Sequence, residues 1–205
     1  MRVAAGLLVI AILDAVLIVA AARMPYFPTD LAIARTVQAM APLPVSWAQW
    51  ITATADTPWC FVLLGAAVVA GWLIGGWRAG AIAIAVFFGL WFFGIWLSPL
   101  VAQPRPAAAL INVVGHPKGY AFPSIFGLVY AATFGYVGVL AGIRCRGAPR
   151  VALPMLAVTA LGAGAAARIV LGAHWPSDLW VAYLMGLLWI GLLLHLVPPG
   201  RAGTG

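Results

Sequence analysis

The fold is decided by residues 57–99, which read TPWCFVLLGAAVVAGWLIGGWRAGAIAIAVFFGLWFFGIWLSP. One charged side chain, Arg78, separates this stretch into two apolar runs, residues 57–76 and 79–99. A membrane-spanning helix needs about 20 mostly apolar residues, and each run has that length. Because the apolar residues are continuous and do not alternate with polar ones, the runs predict helices that satisfy their own backbone hydrogen bonds.

Four further runs have the same length and character: residues 3–22, 123–143, 151–171 and 179–197. The composition agrees, since 65% of the 205 residues are hydrophobic and only 7% are charged, far less charge than the surface of a soluble domain carries. The sequence therefore predicts an all-α, polytopic membrane protein in which a single domain, residues 1–205, forms a six-transmembrane-helix bundle. Asp14, inside the first run, is expected to hydrogen-bond to a neighbouring helix.

The segment after the first run is less apolar and has helical periodicity. Thr29 or Asp30 can cap a helix that ends before Pro42, and Ile33 and Val37 fall on one face of it. This pattern predicts an amphipathic helical segment lying in the membrane interface. Two roles remain open for it: it covers the bundle, or it shapes an entrance for a lipid.

The net charge of +7 does not indicate nucleic-acid binding, because the basic residues are scattered and form no stripe with interleaved aromatic residues. Segment 144–150 is the densest basic loop, and the distribution of positive charge predicts that it is cytoplasmic. Both termini would then be cytoplasmic in a multi-pass protein of the cell (inner) membrane. Arg105, Lys118 and Arg168 would lie on the outer, periplasmic side, against the usual trend, so we expect them to have a functional reason.

Three polar segments fall at this outer end: residues 98–106, 122–126 and 167–178. Arg105 and Arg168 are permanently charged, fork-shaped donors that suit phosphate oxygens. His174 is a nucleophile that can attack phosphorus when it is neutral. Asp178, four residues later, can hold its Nδ1–H and leave Nε2 free. The start of the last span also offers free backbone N–H groups for an anion. Such a site needs neither a metal nor a cofactor.

These segments resemble the type 2 phosphatidic acid phosphatase superfamily, which includes the vanadium haloperoxidases. The family pattern is Lys-x6-Arg-Pro, then Pro-Ser-Gly-His, then Ser-Arg-x5-His-x3-Asp. The matching residues here are Arg105-Pro106, Pro123-Ser124, Arg168, His174 and Asp178. The resemblance implies that His174 forms a phosphohistidine, that Asp178 orients it, and that the phosphate is bound by Arg105, Arg168 and Ser124.

The chain departs from the family pattern at several positions. Ser98 stands in place of the lysine, Ile125-Phe126 in place of Gly-His, and Ala167 in place of the first serine of the third motif. The missing histidine is the family's general acid, and general-acid help is worth roughly 10²–10⁴-fold in rate.

Three interpretations of these departures remain open. In the first, His116 replaces the general acid and Lys118 replaces the family's lysine. Alternatively, the leaving group needs no acid, as when a phosphate leaves from a diphosphate lipid such as a polyprenyl diphosphate. In the third, the protein has no catalytic turnover and is a lipid-phosphate binding or transport protein. The function predicted from the sequence is a metal-independent lipid phosphatase at the outer membrane face, with a phosphorylated lipid as substrate and membrane lipids as its surroundings.

Overall fold

The computed structural model describes residues 2–41 and 43–197, and all regular structure within these ranges is helical. Arg201 and its neighbours at the carboxyl end lie outside the described residues. The helices are α1 (Arg2–Ala21), α2 (Asp30–Met40), α3 (Ser46–Ala53), α4 (Trp59–Val101), α5 (Ile125–Tyr130), a π-helical segment (Ala131–Gly135), α6 (Tyr136–Arg144), α7 (Pro149–Val170) and α8 (Pro176–Leu196).

Helix α4 is a hairpin of two membrane crossings. Gly75 and Gly76 have non-helical backbone angles, and Gly76 has a φ of 75°, which glycine adopts without steric cost. The rings of Phe61 and Trp91 lie 5.4 Å apart, whereas a straight helix would separate them by roughly 45 Å. Five helices in the described part are long and apolar enough to cross a membrane. Because one of them is this hairpin, the prediction of six crossings is confirmed.

The crossings alternate in direction, which brings the polar segments together at one end of the bundle. The end of α1 lies there, since the Gln103 side chain donates to the carbonyl of Met24 at 3.2 Å. The α4–α5 loop and the α7–α8 loop meet at the same end, where the Arg105 side chain donates to the carbonyl of Ala173. The first and last described residues, 2 and 197, lie at the opposite end. We call the end with the polar segments the site end.

Small residues let the helices of the core approach closely, which is the usual means of packing within a membrane. A Cβ at Gly138 of α6 would lie 2.6 Å from that of Ala157 in α7. In the same helix, the Tyr136 hydroxyl donates to the carbonyl of Ala79 in α4 at 2.5 Å. These contacts hold the helix pairs that carry the polar loops.

The interfacial segment folds as predicted, with α2 spanning Asp30–Met40 and α3 following it. Gln38 of α2 donates to the carbonyls of Asn112, Ile169 and Val170 at 2.8–3.2 Å. Helix α3 packs beside the end of α7, where its Ala48 is fully buried. The segment therefore covers the site end and fastens the loops there.

The expectation for Asp14 is wrong. Its side chain is buried in α1, yet neither carboxyl oxygen has a hydrogen-bond partner among the described residues. It lines a cleft of about 740 Å³ whose other walls are apolar side chains of α1, α4 and α8. The nearby indole N–H of Trp189 is turned to the carbonyl of Ala85, at 3.4 Å, so these walls offer the carboxyl group no donor.

Candidate active site

Arg105 is held by backbone carbonyls from two different loops. After α4 ends, Ala102 adopts a left-handed backbone (φ 53°) that turns the chain into the α4–α5 loop. The Arg105 Nε–H faces the carbonyls of Lys118 and Gly119 at 3.0 and 3.3 Å, and Nη1–H donates to that of Ala173 at 2.5 Å. One guanidinium group thus joins the α4–α5 loop to the α7–α8 loop.

His174 and Asp178 form a buried pair, 2% and 0% exposed. The Asp178 Oδ2 accepts the backbone N–H of Trp175 at 2.8 Å and lies 3.3 Å from His174 Nδ1. The opposite ring nitrogen, Nε2, lies 3.3 Å from Nη1 of Arg105. A guanidinium group can only donate, so this arrangement requires an unprotonated Nε2 and a proton on Nδ1. The nucleophilic lone pair therefore faces the positive charge.

The surroundings of His174 favour its neutral form. Burial lowers the pKa of the imidazole well below 6.5, and the positive charges of Arg168 and Arg105 lower it further. A backbone contact with Ala121 acts in the opposite direction and is weaker. Burial also lowers the pKa of Arg105, while the charge of Asp178 raises it. The imidazole is thus available as a nucleophile at neutral pH.

Arg168, in the last turn of α7, supplies a second positive charge. Its guanidinium carbon lies 5.4 Å above the Phe126 ring, and its buried Nε has no hydrogen-bond partner among the described residues. The carboxylate of Asp56 interacts with it electrostatically. Arg168 and Arg105 repel each other across the site, so a bound anion would be stabilised between them.

The two arginines and His174 share one small cavity of about 140 Å³. Pockets for drug-sized ligands measure roughly 300–1,000 Å³, so this cavity suits a single phosphate group and leaves the rest of a lipid outside. Its walls are Ala55, Asp56, Arg105, Tyr120, Pro123, Ile125, Phe126, Arg168 and His174.

The remaining predicted site residues lie outside this wall. The buried Ser124 caps α5, where its Oγ accepts the N–H of Gly127 at 3.2 Å. His116 and Lys118 are exposed in the α4–α5 loop, and only the carbonyl of Lys118 reaches the site, through Arg105. The catalytic role of His116 and the phosphate contacts of Ser124 and Lys118 stay predictions.

The start of α8 does not offer the free N–H groups that the sequence suggested. The N–H and hydroxyl of Ser177 donate to the carboxylate of Asp30 at 2.9 and 2.7 Å. The N–H of Asp178 donates to the carbonyl of Trp175 at 3.1 Å. These donors are already satisfied, so Ser177 and Asp178 leave no free N–H group at the start of α8 for an anion.

Sequence reasoning missed three residues of this region: Asp30, Asp56 and Tyr120. The composition alone could have identified Asp30 and Asp56. The chain has four acidic residues and no glutamate, and the acids at positions 30, 56 and 178 all belong to the site end. Carboxylates so rare in a membrane protein are candidates for function by default.

The fold has a counterpart among solved structures. The chain is similar to the crystal structure of the first transmembrane PAP2 type phosphatidylglycerolphosphate phosphatase from Bacillus subtilis, with a TM-score of 0.72 over 93% of this chain and 94% of that one. The chain has the PAP2 phosphatase fold. Sequence identity is 16%, and no protein-family model or curated protein sequence matches the chain. The similarity therefore establishes the fold of the chain and does not by itself establish its activity.

On the PAP2 fold, the positions that depart from the family pattern have structural roles of their own. Phe126 stacks on Tyr130, with ring centroids 4.3 Å apart, and supports the guanidinium of Arg168. Ala167 is fully buried in the cluster that joins α3 to α7. Ser98 is half-buried in the last turn of α4 and is not part of the cavity wall.

Gly172 precedes His174 in a turn that only glycine fits, with a φ of 64°. A Cβ there would collide with the carbonyl oxygen of Asn112 and lie 2.9 Å from Cα of Val113. We expect Gly172→Ala to destabilise the protein by more than about 2 kcal/mol, since backbone collision adds to the left-handed conformation's cost of 1–2 kcal/mol. Thermal unfolding in detergent measures the loss.

Gly115→Ala is the matched control, because Gly115 has a φ of 74° and no atom within 4 Å of an added Cβ. It should cost only the conformational part, about 1 kcal/mol. Equal melting temperatures for the two variants would contradict the close approach at Gly172.

The lowered pKa of His174 predicts a pH dependence. In protein labelled with ¹⁵N-histidine, the His174 imidazole should stay neutral as the pH falls through 6.5, the ordinary value. The unfolded chain takes up this proton first, so His174 should make stability decline as the pH falls below about 6.5. Arg168→Gln should raise the pKa of His174, because it removes a repelling charge.

NMR titration tests the two statements on the pKa of His174, and thermal unfolding at several pH values tests the one on stability. The chain has three histidines, and single His→Gln variants assign their signals. A His174 signal that titrates at pH 6.5 or above in the parent protein would contradict the electrostatic description of the site.

Proposed function

We propose that the protein is a membrane lipid phosphatase that hydrolyses a phosphate or diphosphate lipid through a phosphohistidine on His174. One observation carries this proposal: the unprotonated Nε2 of a buried, aspartate-held histidine faces the guanidinium group of Arg105, in a cavity that Arg168 also lines and that is sized for one phosphate group. Phosphoryl transfer depends mainly on positioning and on neutralising charge, and these residues provide both.

The proposed reaction has two steps. His174 Nε2 attacks phosphorus and the bond to the leaving oxygen breaks, while Asp178 stabilises the imidazolium that forms. Arg105 and Arg168 neutralise the phosphoryl oxygens in both steps. Water then attacks the phosphohistidine, the P–N bond breaks, and inorganic phosphate leaves. The guanidinium groups supply the positive charge that a metal ion supplies in other phosphatases.

We propose that the site faces the outer side of the cell membrane. The supporting observation is that the basic loop between α6 and α7 lies at the end of the bundle opposite the site, and basic loops favour the cytoplasm. The cavity has no room for the lipid chain, so the chain stays outside it and the phosphate group enters from the membrane surface.

Phosphate release from detergent-solubilised protein tests the function. Farnesyl phosphate and farnesyl diphosphate serve as probes, with EDTA present throughout. We expect release from at least one of them, and we expect EDTA to leave the rate unchanged. A requirement for added divalent metal, or no release from either lipid, would contradict the proposal.

A lipid-phosphate binding or transport protein is the rival function. It is favoured by Phe126, whose ring lies in the cavity wall beneath Arg168 and has no proton to transfer. Saturable binding of farnesyl phosphates without phosphate release would support this rival. An added imidazole also discriminates: Phe126→His should raise turnover of farnesyl phosphate if the rest of the machinery is intact, whereas a binding protein would remain inactive.

A further inference from the structure

A monophosphate lipid sets a requirement that the residues discussed so far do not meet. Its leaving group is an alkoxide, which departs slowly unless a proton reaches the oxygen as the bond breaks. Of the side chains that line the cavity, the two arginines stay charged and His174 acts as the nucleophile. Two other residues in the wall have side chains that can exchange a proton, Asp56 and Tyr120.

Tyr120 is fixed at the site on both of its flanks. The carbonyls of Lys118 and Gly119, just before it, face Nε of Arg105 at 3.0 and 3.3 Å. The next residue, Ala121, makes a backbone contact with His174 and donates its N–H to the carbonyl of Gln103 at 2.9 Å. The backbone that carries the phenol is thus tied to one of the phosphate-binding arginines and to the nucleophile.

The exposure of Tyr120 places it at the mouth of the cavity. Tyr120 is one of the residues that line the cavity and is 44% exposed, whereas His174 is 2% exposed. Because the cavity holds little more than the phosphate group, the leaving oxygen and its chain must lie at this mouth. A donor to the leaving oxygen is needed there and not beside the nucleophile.

We propose, on the basis of the proposed phosphatase function, that Tyr120 is the general acid that protonates the leaving oxygen. As the bond from Nε2 of His174 to phosphorus forms and the P–O bond breaks, the phenolic proton passes to the leaving oxygen and the lipid departs as an alcohol. The phenolate shares its cavity with two guanidinium groups, which stabilise it. In the second step it accepts a proton from the attacking water, and the phenol is restored as the P–N bond breaks.

Two other residues compete for this role. Phenols hold their proton at neutral pH and carboxylic acids do not, and Asp56 interacts electrostatically with Arg168. His116 is exposed in the loop and is absent from the cavity wall. Tyr120 is the cavity residue that both carries a proton and lies where the leaving group departs.

The test compares two lipids that share a chain and differ in leaving group. Farnesyl phosphate must expel an alkoxide, whereas farnesyl diphosphate expels a phosphate, which needs no acid. Tyr120→Phe removes one hydroxyl group. We expect it to lower kcat for farnesyl phosphate by roughly 10²–10⁴-fold and to leave farnesyl diphosphate hydrolysis little changed. The diphosphate activity of the same sample shows that the variant is folded.

Asp56→Asn and His116→Gln, assayed in the same way, are the matched controls and should show no such selectivity. The assignment of Tyr120 is overturned if Tyr120→Phe affects both lipids equally, if it affects neither, or if the selective loss appears in Asp56→Asn or His116→Gln. It is also overturned if the parent protein hydrolyses the diphosphate alone. A parent protein inactive on both lipids would instead overturn the phosphatase function itself.

Discussion

His174→Gln should reduce lipid phosphate release to the background rate, a loss of roughly 10⁴–10⁶-fold. The reason is chemical: the variant lacks the nitrogen lone pair that faces Arg105 and the cavity, and an amide is not a comparable nucleophile. Glutamine is preferred to alanine because it leaves a smaller void at this buried position. Release of phosphate from farnesyl phosphate and farnesyl diphosphate measures the effect.

His195→Gln is the control for His174→Gln. His195 is exposed in the last turn of α8, at the end of the bundle away from the cavity. It should retain the parent rate and melting temperature. If His174→Gln retained more than about a tenth of the activity, the nucleophile would have to be assigned elsewhere.

Arg168→Gln should lower kcat/KM by roughly 10³–10⁵-fold, the usual contribution of an arginine that stabilises a transferring phosphoryl group. Arg168 is a better test of charge than Arg105. The guanidinium of Arg105 braces carbonyls of two loops, so its removal would disturb structure as well as charge. The buried Nε of Arg168 has no such partner in the described residues.

Stability separates this effect from damage to the fold. Arg168 is largely buried and repelled by Arg105, so Arg168→Gln should leave the melting temperature unchanged or raise it. Arg168→Lys keeps the charge and loses the planar fork, and we expect an intermediate rate. An Arg168→Gln variant with parent kinetics, or a clear fall in melting temperature alongside the lost activity, would contradict a role in phosphate binding.

The membrane topology was predictable because it depends on length and apolarity. Each crossing needs about 20 apolar residues, a property that the chain displays locally. The tight turn between the two halves of α4 was not predictable. The halves are joined directly at Gly75 and Gly76, and no polar loop lies between them. The third motif was also local: the eleven residues from Arg168 to Asp178, around one turn, bring Arg168, His174 and Asp178 together.

Residues brought to the site by distant elements could not be predicted in the same way. Asp30 reaches Ser177 across 147 positions of sequence, through the packing of α2 on α8. Tyr120 and His116 share one loop, and residue type alone favoured the histidine. Turns at Gly115 and Gly119, with φ values of 74° at both, give that loop a course that leaves His116 exposed and puts Tyr120 in the cavity wall.

The proposed function depends most directly on a covalent bond between phosphorus and Nε2 of His174. Rapid mixing of the protein with farnesyl diphosphate, an alkaline quench that preserves phosphohistidine, and peptide mass spectrometry would detect this bond. We predict a phosphoryl group on the peptide that contains His174, present in the parent protein and absent from His174→Gln. A phosphoryl group on another residue, or phosphate release with none on the protein at any time in the first turnover, would contradict it.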